Sequence, residues 1–188
     1  MLGRTHQIIG LTASAGWYFS SAGSTYNSAT LFGVVISSVA GALIPDLDRA
    51  TADIWKKVPF GKIFGRVVDP FIDHRSFSHS LFGLTFFGVI IYLILNVFPA
   101  SWGMDIGNVF WAFMIGYSTH LIADIITDKG IPLFFALPNF VGIPPKPFHG
   151  ARIMTGKWFE NLVIFPIFNL LFIIIIISNF SKIKGIFE

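Results

Sequence analysis

The chain has 188 residues, 54% of them hydrophobic and only 12% charged, with a mean hydropathy of +0.71. A soluble domain carries roughly 25% charged residues, so the composition excludes an ordinary soluble fold and points to an integral membrane protein, an all-α bundle forming one domain over residues 1–188. The absence of cysteine excludes disulfides and thiolate metal sites. The net charge of +3 is assigned to loop bases that set topology and meet lipid headgroups, and no nucleic-acid partner is expected.

In chain order, five membrane-spanning helices are predicted, over about residues 6–22, 28–44, 80–98, 107–127 and 158–179. The first follows a single Arg4, and the second follows the first so closely that the first reads as an ordinary transmembrane helix and not as a cleavable signal peptide. A Gly-Ser-Thr-Tyr-Asn-Ser turn at residues 23–28 separates it from the second. Both are slightly short for a span of roughly 20 residues. No charge occurs from Ile8 to Pro45, and then Asp46 and Asp48 appear. Residues 52–72 interleave lysines and arginines with Trp55, Phe60, Phe64 and Phe71, which predicts a basic amphipathic segment on the anionic inner leaflet. The third span follows His74-Arg75-Ser76-Phe77-Ser78-His79-Ser80 and ends at Pro99; Ser76, Ser78 and Ser80 are all suitable helix caps. The fourth carries His120 and Asp124 near its far end. Residues 131–148 contain Pro132, Pro138, Pro144, Pro145 and Pro147, cannot be helical throughout, and are predicted to form a short proline-rich hairpin or cap over the site. The fifth span contains the run from Phe172 to Ile177, the most hydrophobic of the chain.

If the five spans alternate, eleven of the thirteen basic residues lie on one side and only Lys182 and Lys184 on the other. That bias predicts a cytoplasmic amino terminus and a carboxyl terminus outside. The same alternation brings His6, Asp46, Asp48, His74, His79, His120, Asp124 and Glu160 to the cytoplasmic end. Ionisable groups at membrane depth are costly and usually mark a functional site.

Imidazole and carboxylate together suit a divalent metal, zinc first and manganese as the alternative. The expected ligands are His6, Asp46, His74, His79, His120 and Asp124. His120 and Asp124, four residues apart, share one helix face. So many donors exceed the needs of one tetrahedral ion, which leaves two arrangements open: a two-metal site with a bridging carboxylate, or one metal with general bases and supporting partners. The expected catalytic residues are Asp48 and Asp124 as bases for water, Arg75 as a planar donor to a phosphoryl oxygen, and Glu160 in the same layer. Taken singly, each motif has an ordinary structural explanation: a buried helix-packing pair for His120 and Asp124, a polar helix start for residues 74–80, a solvated turn for Pro45 to Asp48. Their convergence on one layer carries the weight.

The combination of His6, Pro45-Asp46-Leu47-Asp48, the stretch from His74 to Ser80, and Gly116-Tyr117-Ser118-Thr119-His120-Leu121-Ile122-Ala123-Asp124 with Thr127 and Gly130 resembles the YdjM-like family. The resemblance extends to Thr155-Gly156 and Glu160. It implies a helical inner-membrane protein and a metal-dependent hydrolase, and it carries no substrate. A site at the membrane surface suits a lipid phosphoester, its tail in the bilayer and its headgroup at the metal. His149, Lys129 and the prolyl segment take no role from the family. A metal-free lipid phosphatase with a phosphohistidine intermediate is the other enzyme considered, but Phe113 and Met114 stand where its Ser-Arg pair belongs. A metal or proton carrier, or a partner-binding anchor, is the non-enzymatic alternative.

Overall fold

The computed structural model describes residues 1–21, 26–48, 77–99, 102–135 and 140–188, with only the backbone of residues 47 and 48. Six α-helices and no strand occur among them: α1 (Gly3–Ser20), α2 (Ser28–Leu43), α3 (Leu81–Leu95), α4 (Ile106–Ile125), α5 (Phe165–Ser178) and α6 (Phe180–Phe187). The predicted interfacial segment at 52–72 lies outside the described residues.

Local chemistry sets the helix ends. Asn27 caps α2 by accepting from Thr30 N–H (2.7 Å), and Asp105 caps α4 by accepting from Asn108 N–H (3.0 Å). Of the three candidate serines, Ser80 caps α3, accepting from Gly83 N–H at 3.1 Å. Around Pro45, α2 tightens into a 3-10 turn, Ile44–Asp48. A π-helical turn, Glu160–Ile164, leads into α5 just before Pro166, which has no N–H to give the regular ladder. Helix α6 follows α5 almost without a break, beyond the predicted end of the fifth span at about residue 179. Its Lys182 donates to Phe19 O (2.7 Å), tying the carboxyl-terminal helix to the end of α1.

Helix α4 is the hub, packed against α1, α2 and α3, while α5 lies on α1. Small residues make the central contact. A Cβ on Gly41 would stand 2.2 Å from Phe113 O, and one on Gly116 would stand 2.3 Å from Ser38 O. Such close backbone approach is typical of helix packing in lipid. The bundle exposes apolar side chains, among them Phe32, Ile36, Phe82, Phe86, Leu93, Leu170 and Ile177, while its interior mixes an apolar core (Tyr18, Val109, Phe113, Leu121) with buried polar residues, Thr5, Thr12, Ser14, Ser38, His120 and Asp124.

Among the described residues, two stretches are long and apolar enough to cross a membrane, Ser28–Asp46 and Glu160–Ser178, and Leu81–Leu95 is apolar but shorter. The other two predicted spans, α1 and α4, form as helices, but Thr, Ser, His and Asp on their buried faces dilute their apolar character. The proline-rich cap is irregular: an antiparallel bridge joins Ile131 and Val141, and a parallel one joins Thr127 and Ile153. It packs at the end of α4 that carries Asp124, and Leu133 O accepts from Leu81 N–H (3.0 Å) at the start of α3.

Candidate metal centre

The helix ends at which the sequence concentrates its ionisable residues converge. His6 on α1, Asp46 in the turn after α2, His79 just before α3, and His120 and Asp124 on α4 form two overlapping groups with metal-ligand spacing, His6–His120–Asp124 and Asp46–His79–His120. His79 Nε2 is 3.3 Å from His120 Nε2 and 3.6 Å from Asp124 Oδ2; His120 Nε2 is 3.8 Å from that same oxygen. Asp46 Oδ1 lies 3.7 Å from His79 Nε2, and His6 Nε2 lies 3.3 Å from Asp124 Oδ1. Donors around one tetrahedral zinc at its usual bond lengths stand about 3.3 Å apart, so the separations fit a shared cation.

Supporting contacts orient these donors. His120 Nδ1–H donates to Ala42 O (2.7 Å), which leaves Nε2 with its lone pair facing His79 and Asp124. The His6 ring stacks on that of His120, with centroids 3.7 Å apart and planes at 14°. His6 is buried, and neither of its ring nitrogens makes a well-aligned hydrogen bond among the described residues. A buried polar atom without a well-made bond is costly, and a cation beside Asp124 would give Nε2, now 3.3 Å from Asp124 Oδ1, a stronger partner. Ser78 Oγ lies 3.3 Å from His79 Nδ1, while Tyr117 Oη donates to Ser78 O (2.6 Å) and holds that turn against α4. The Met1 nitrogen contacts Asp124 Oδ1. Asp46, 14% exposed, is the most accessible of the five candidate ligands, the others being at 1% or less.

Glu160 stands at the entry to the last segment, as expected. Its two carboxylate oxygens accept from Leu2 N–H (2.6 Å) and Gly156 N–H (2.7 Å), stitching the start of α1 to the entry of the last segment. It belongs to neither metal-holding group among the described residues, and its two backbone bonds give it an anchoring role. Glu160→Gln keeps one acceptor oxygen and turns the other position into a donor facing a backbone N–H. The expected result is a loss of about 1–3 kcal/mol of stability, seen as a lower thermal midpoint in detergent with metal content unchanged. A drop in metal content would return Glu160 to the ligand set. His74 and Arg75 lie outside the described residues, and Asp48 is described only as the backbone that closes the 3-10 turn.

Residues 1–185 match the family model described as YdjM inner membrane protein. The chain belongs to the YdjM family. YvsG of Bacillus subtilis (strain 168), described as an uncharacterized protein, is 31% identical over 164 residues, covering 87% of this chain and 88% of its own. Inner membrane protein YdjM of Escherichia coli (strain K12) is 29% identical over 107 residues, 54% of this chain and 48% of its own, and that of Shigella flexneri gives the same figures. The chain thus spans about half the length of those two YdjM proteins. No solved structure matches. The family's inner-membrane character agrees with the apolar exterior and the two candidate spans.

Proposed function

We propose that this YdjM-family protein is a multi-pass inner-membrane, metal-dependent hydrolase acting on a phosphoester, a lipid phosphoester foremost, at the cytoplasmic face. The observation that carries the metal reading is the triangle of His79 Nε2, His120 Nε2 and Asp124 Oδ2, with sides of 3.3–3.8 Å, buried in an apolar bundle. These three residues would hold the ion, with Asp46 or His6 completing the set. A bound divalent metal supplies Lewis-acid polarisation of a phosphoryl oxygen and acidifies water; zinc fits the nitrogen–oxygen donors, and manganese is the alternative. The protein's own part is positioning. Ala42 O fixes the His120 tautomer, and Tyr117 and Ser78 fix the turn that bears His79. Where His6 completes the ligand set, Asp46, the more accessible carboxylate, is the group to take a proton from attacking water. Arg75 is assigned to the phosphoryl oxygens and Asp48 to water.

The deciding experiment is a hydrolysis assay of detergent-purified protein on a panel of lipid phosphoesters, after chelation and after zinc or manganese is restored. Activity lost on chelation and regained with metal supports the reading; full activity in the metal-free protein overturns the mechanism. One observation favours a second reading. Structural metal sites are closed whereas catalytic ones keep an open position, and four of the five donors here are fully buried. A protein that binds metal stoichiometrically yet hydrolyses none of the panel would be a metal-stabilised membrane anchor or carrier.

Five crossings complete the proposal. Helices α1 and α4 are shielded by their neighbours, which explains how polar faces are tolerated inside a bundle that exposes Phe82, Leu93, Leu170 and Ile177. Reporter fusions at Ser24 and Ser101 are expected to report the outer side. A cytoplasmic signal at either would break the alternation that brings the donors together.

A further inference from the structure

Beside the cap, a cavity of about 670 Å³ opens among Asp128, Lys129, Phe140, Lys146, His149 and Arg152. Its size falls within the range of roughly 300–1,000 Å³ usual for small-molecule sites. Its frame is tied together by Arg152, whose guanidinium donates to Pro144 O (2.8 Å), Gly142 O (2.9 Å) and Asp128 O (3.4 Å). At Gly130 φ is +65°, and a Cβ there would stand 2.4 Å from Val141 O, so the opposite wall also has a defined course.

The lining is unbalanced in charge. Lys129, Lys146 and Arg152 face one carboxylate, Asp128, with His149 beside them. Arg152 is committed to backbone carbonyls. Among the described residues, the side chains of Lys129, Lys146 and His149 make neither an ion pair nor a hydrogen bond. Lysine ammonium groups are compact charges suited to phosphate oxygens. The same cap exposes Phe134, Phe135, Phe140, Phe148 and, just beyond it, Trp158, a set of aromatic side chains suited to the headgroup level of a bilayer. The cavity follows directly from the end of α4 that bears Asp124, so it lies at the end of the bundle where the donors gather.

We propose that this cavity is a phosphate-binding site for the headgroup of an anionic phospholipid, with Lys129 and Lys146 as the principal contacts and His149 as a further donor. The proposal rests on the membrane placement argued above and is independent of the metal centre. A free phosphate-bearing solute offers the same chemistry, and the test separates the two sources.

The full chain, purified in detergent, is titrated with phosphatidylglycerol, phosphatidylcholine or inorganic phosphate, and bound species are counted by native mass spectrometry. Phosphatidylglycerol is expected to bind in preference to phosphatidylcholine, and its affinity to fall about 30-fold in Lys129→Gln/Lys146→Gln, from the usual contribution of two lysines at an anionic surface. The single variant Lys146→Gln, exposed and remote from the helix packing, should show an intermediate loss and guards against misfolding of the double variant. Binding of inorganic phosphate without phosphatidylglycerol, lost in the same variants, would keep the phosphate site and assign it to a soluble ligand. Equal binding of the two lipids, or undiminished phosphatidylglycerol binding by the double variant, would overturn the proposal. Metal content measured on the same preparations separates failure here from failure of the metal centre, because lipid selectivity is expected with or without metal.

Discussion

His120→Ala is expected to yield a folded protein with almost no bound metal and no hydrolysis. His120 belongs to both groups of candidate ligands, and its Nε2 is the atom that links them. Loss of an outer-shell partner alone costs 10–100-fold in metal affinity, so loss of this ligand should exceed about 100-fold. Asp124→Asn is the complementary change. It keeps the side chain's shape but removes the charge that His6, His79 and His120 all face at 3.3–3.8 Å, and it should empty the site in the same way. Elemental analysis of detergent-purified wild type and variants, with the elution profile as a check on folding, decides the matter. Metal at the wild-type level in both variants would sink the centre. Metal absent from all three preparations, even after zinc and manganese are added, would leave a buried hydrogen-bonded cluster in its place.

The collection of these donors was legible because each stands where an apolar run begins or ends, so alternation of helices alone sends them to one end. The Ser80 cap was legible for a similar local reason: serine at a helix start has a side-chain oxygen for an orphan N–H. What could not be read depends on backbone atoms or on pairings distant in sequence. Nothing in the letter alanine marks Ala42 O as the acceptor that orients His120. Nothing local marks Glu160 as the acceptor for the N–H groups of Leu2 and Gly156. The helices themselves were easier to predict than their passage through a membrane, which length and composition support for two stretches among the described residues. In α1 and α4 the polar residues that build the site's surroundings also lower the apolar signal by which a span is recognised. That the described part of the prolyl segment is irregular was foreseen from its prolines. The basic cavity beside it was not, because Lys129 and Lys146 are brought together only when Gly130 turns the chain and Ile131 pairs with Val141.

Gly41→Ala and Gly116→Ala, singly and together, are expected to cost the bundle far more than one methyl group usually does. The two glycines are reciprocal: Gly41 of α2 abuts the α4 backbone at Phe113 and Tyr117, and Gly116 of α4 abuts the α2 backbone at Ser38 and Ala42. At 2.2 and 2.3 Å the added Cβ meets carbonyl oxygens of a neighbouring helix, and a helix backbone cannot swing aside as a side-chain tip can. Overpacking a well-filled core typically costs about 1–3 kcal/mol, and each variant should reach the upper part of that range. The consequence extends to the metal. Helix α2 carries both Ala42, whose carbonyl holds His120, and the turn bearing Asp46, so forcing α2 away from α4 should weaken metal binding without touching a ligand. Gly185→Ala in α6, where a Cβ meets nothing within 4 Å, is the control and should be neutral or slightly stabilising through better helix propensity. Thermal unfolding in detergent and metal content are the two readouts. If the Gly41 and Gly116 variants melt with the control and keep their metal, the close approach of α2 and α4 is wrong, and with it the spacing that brings His79, His120 and Asp124 together.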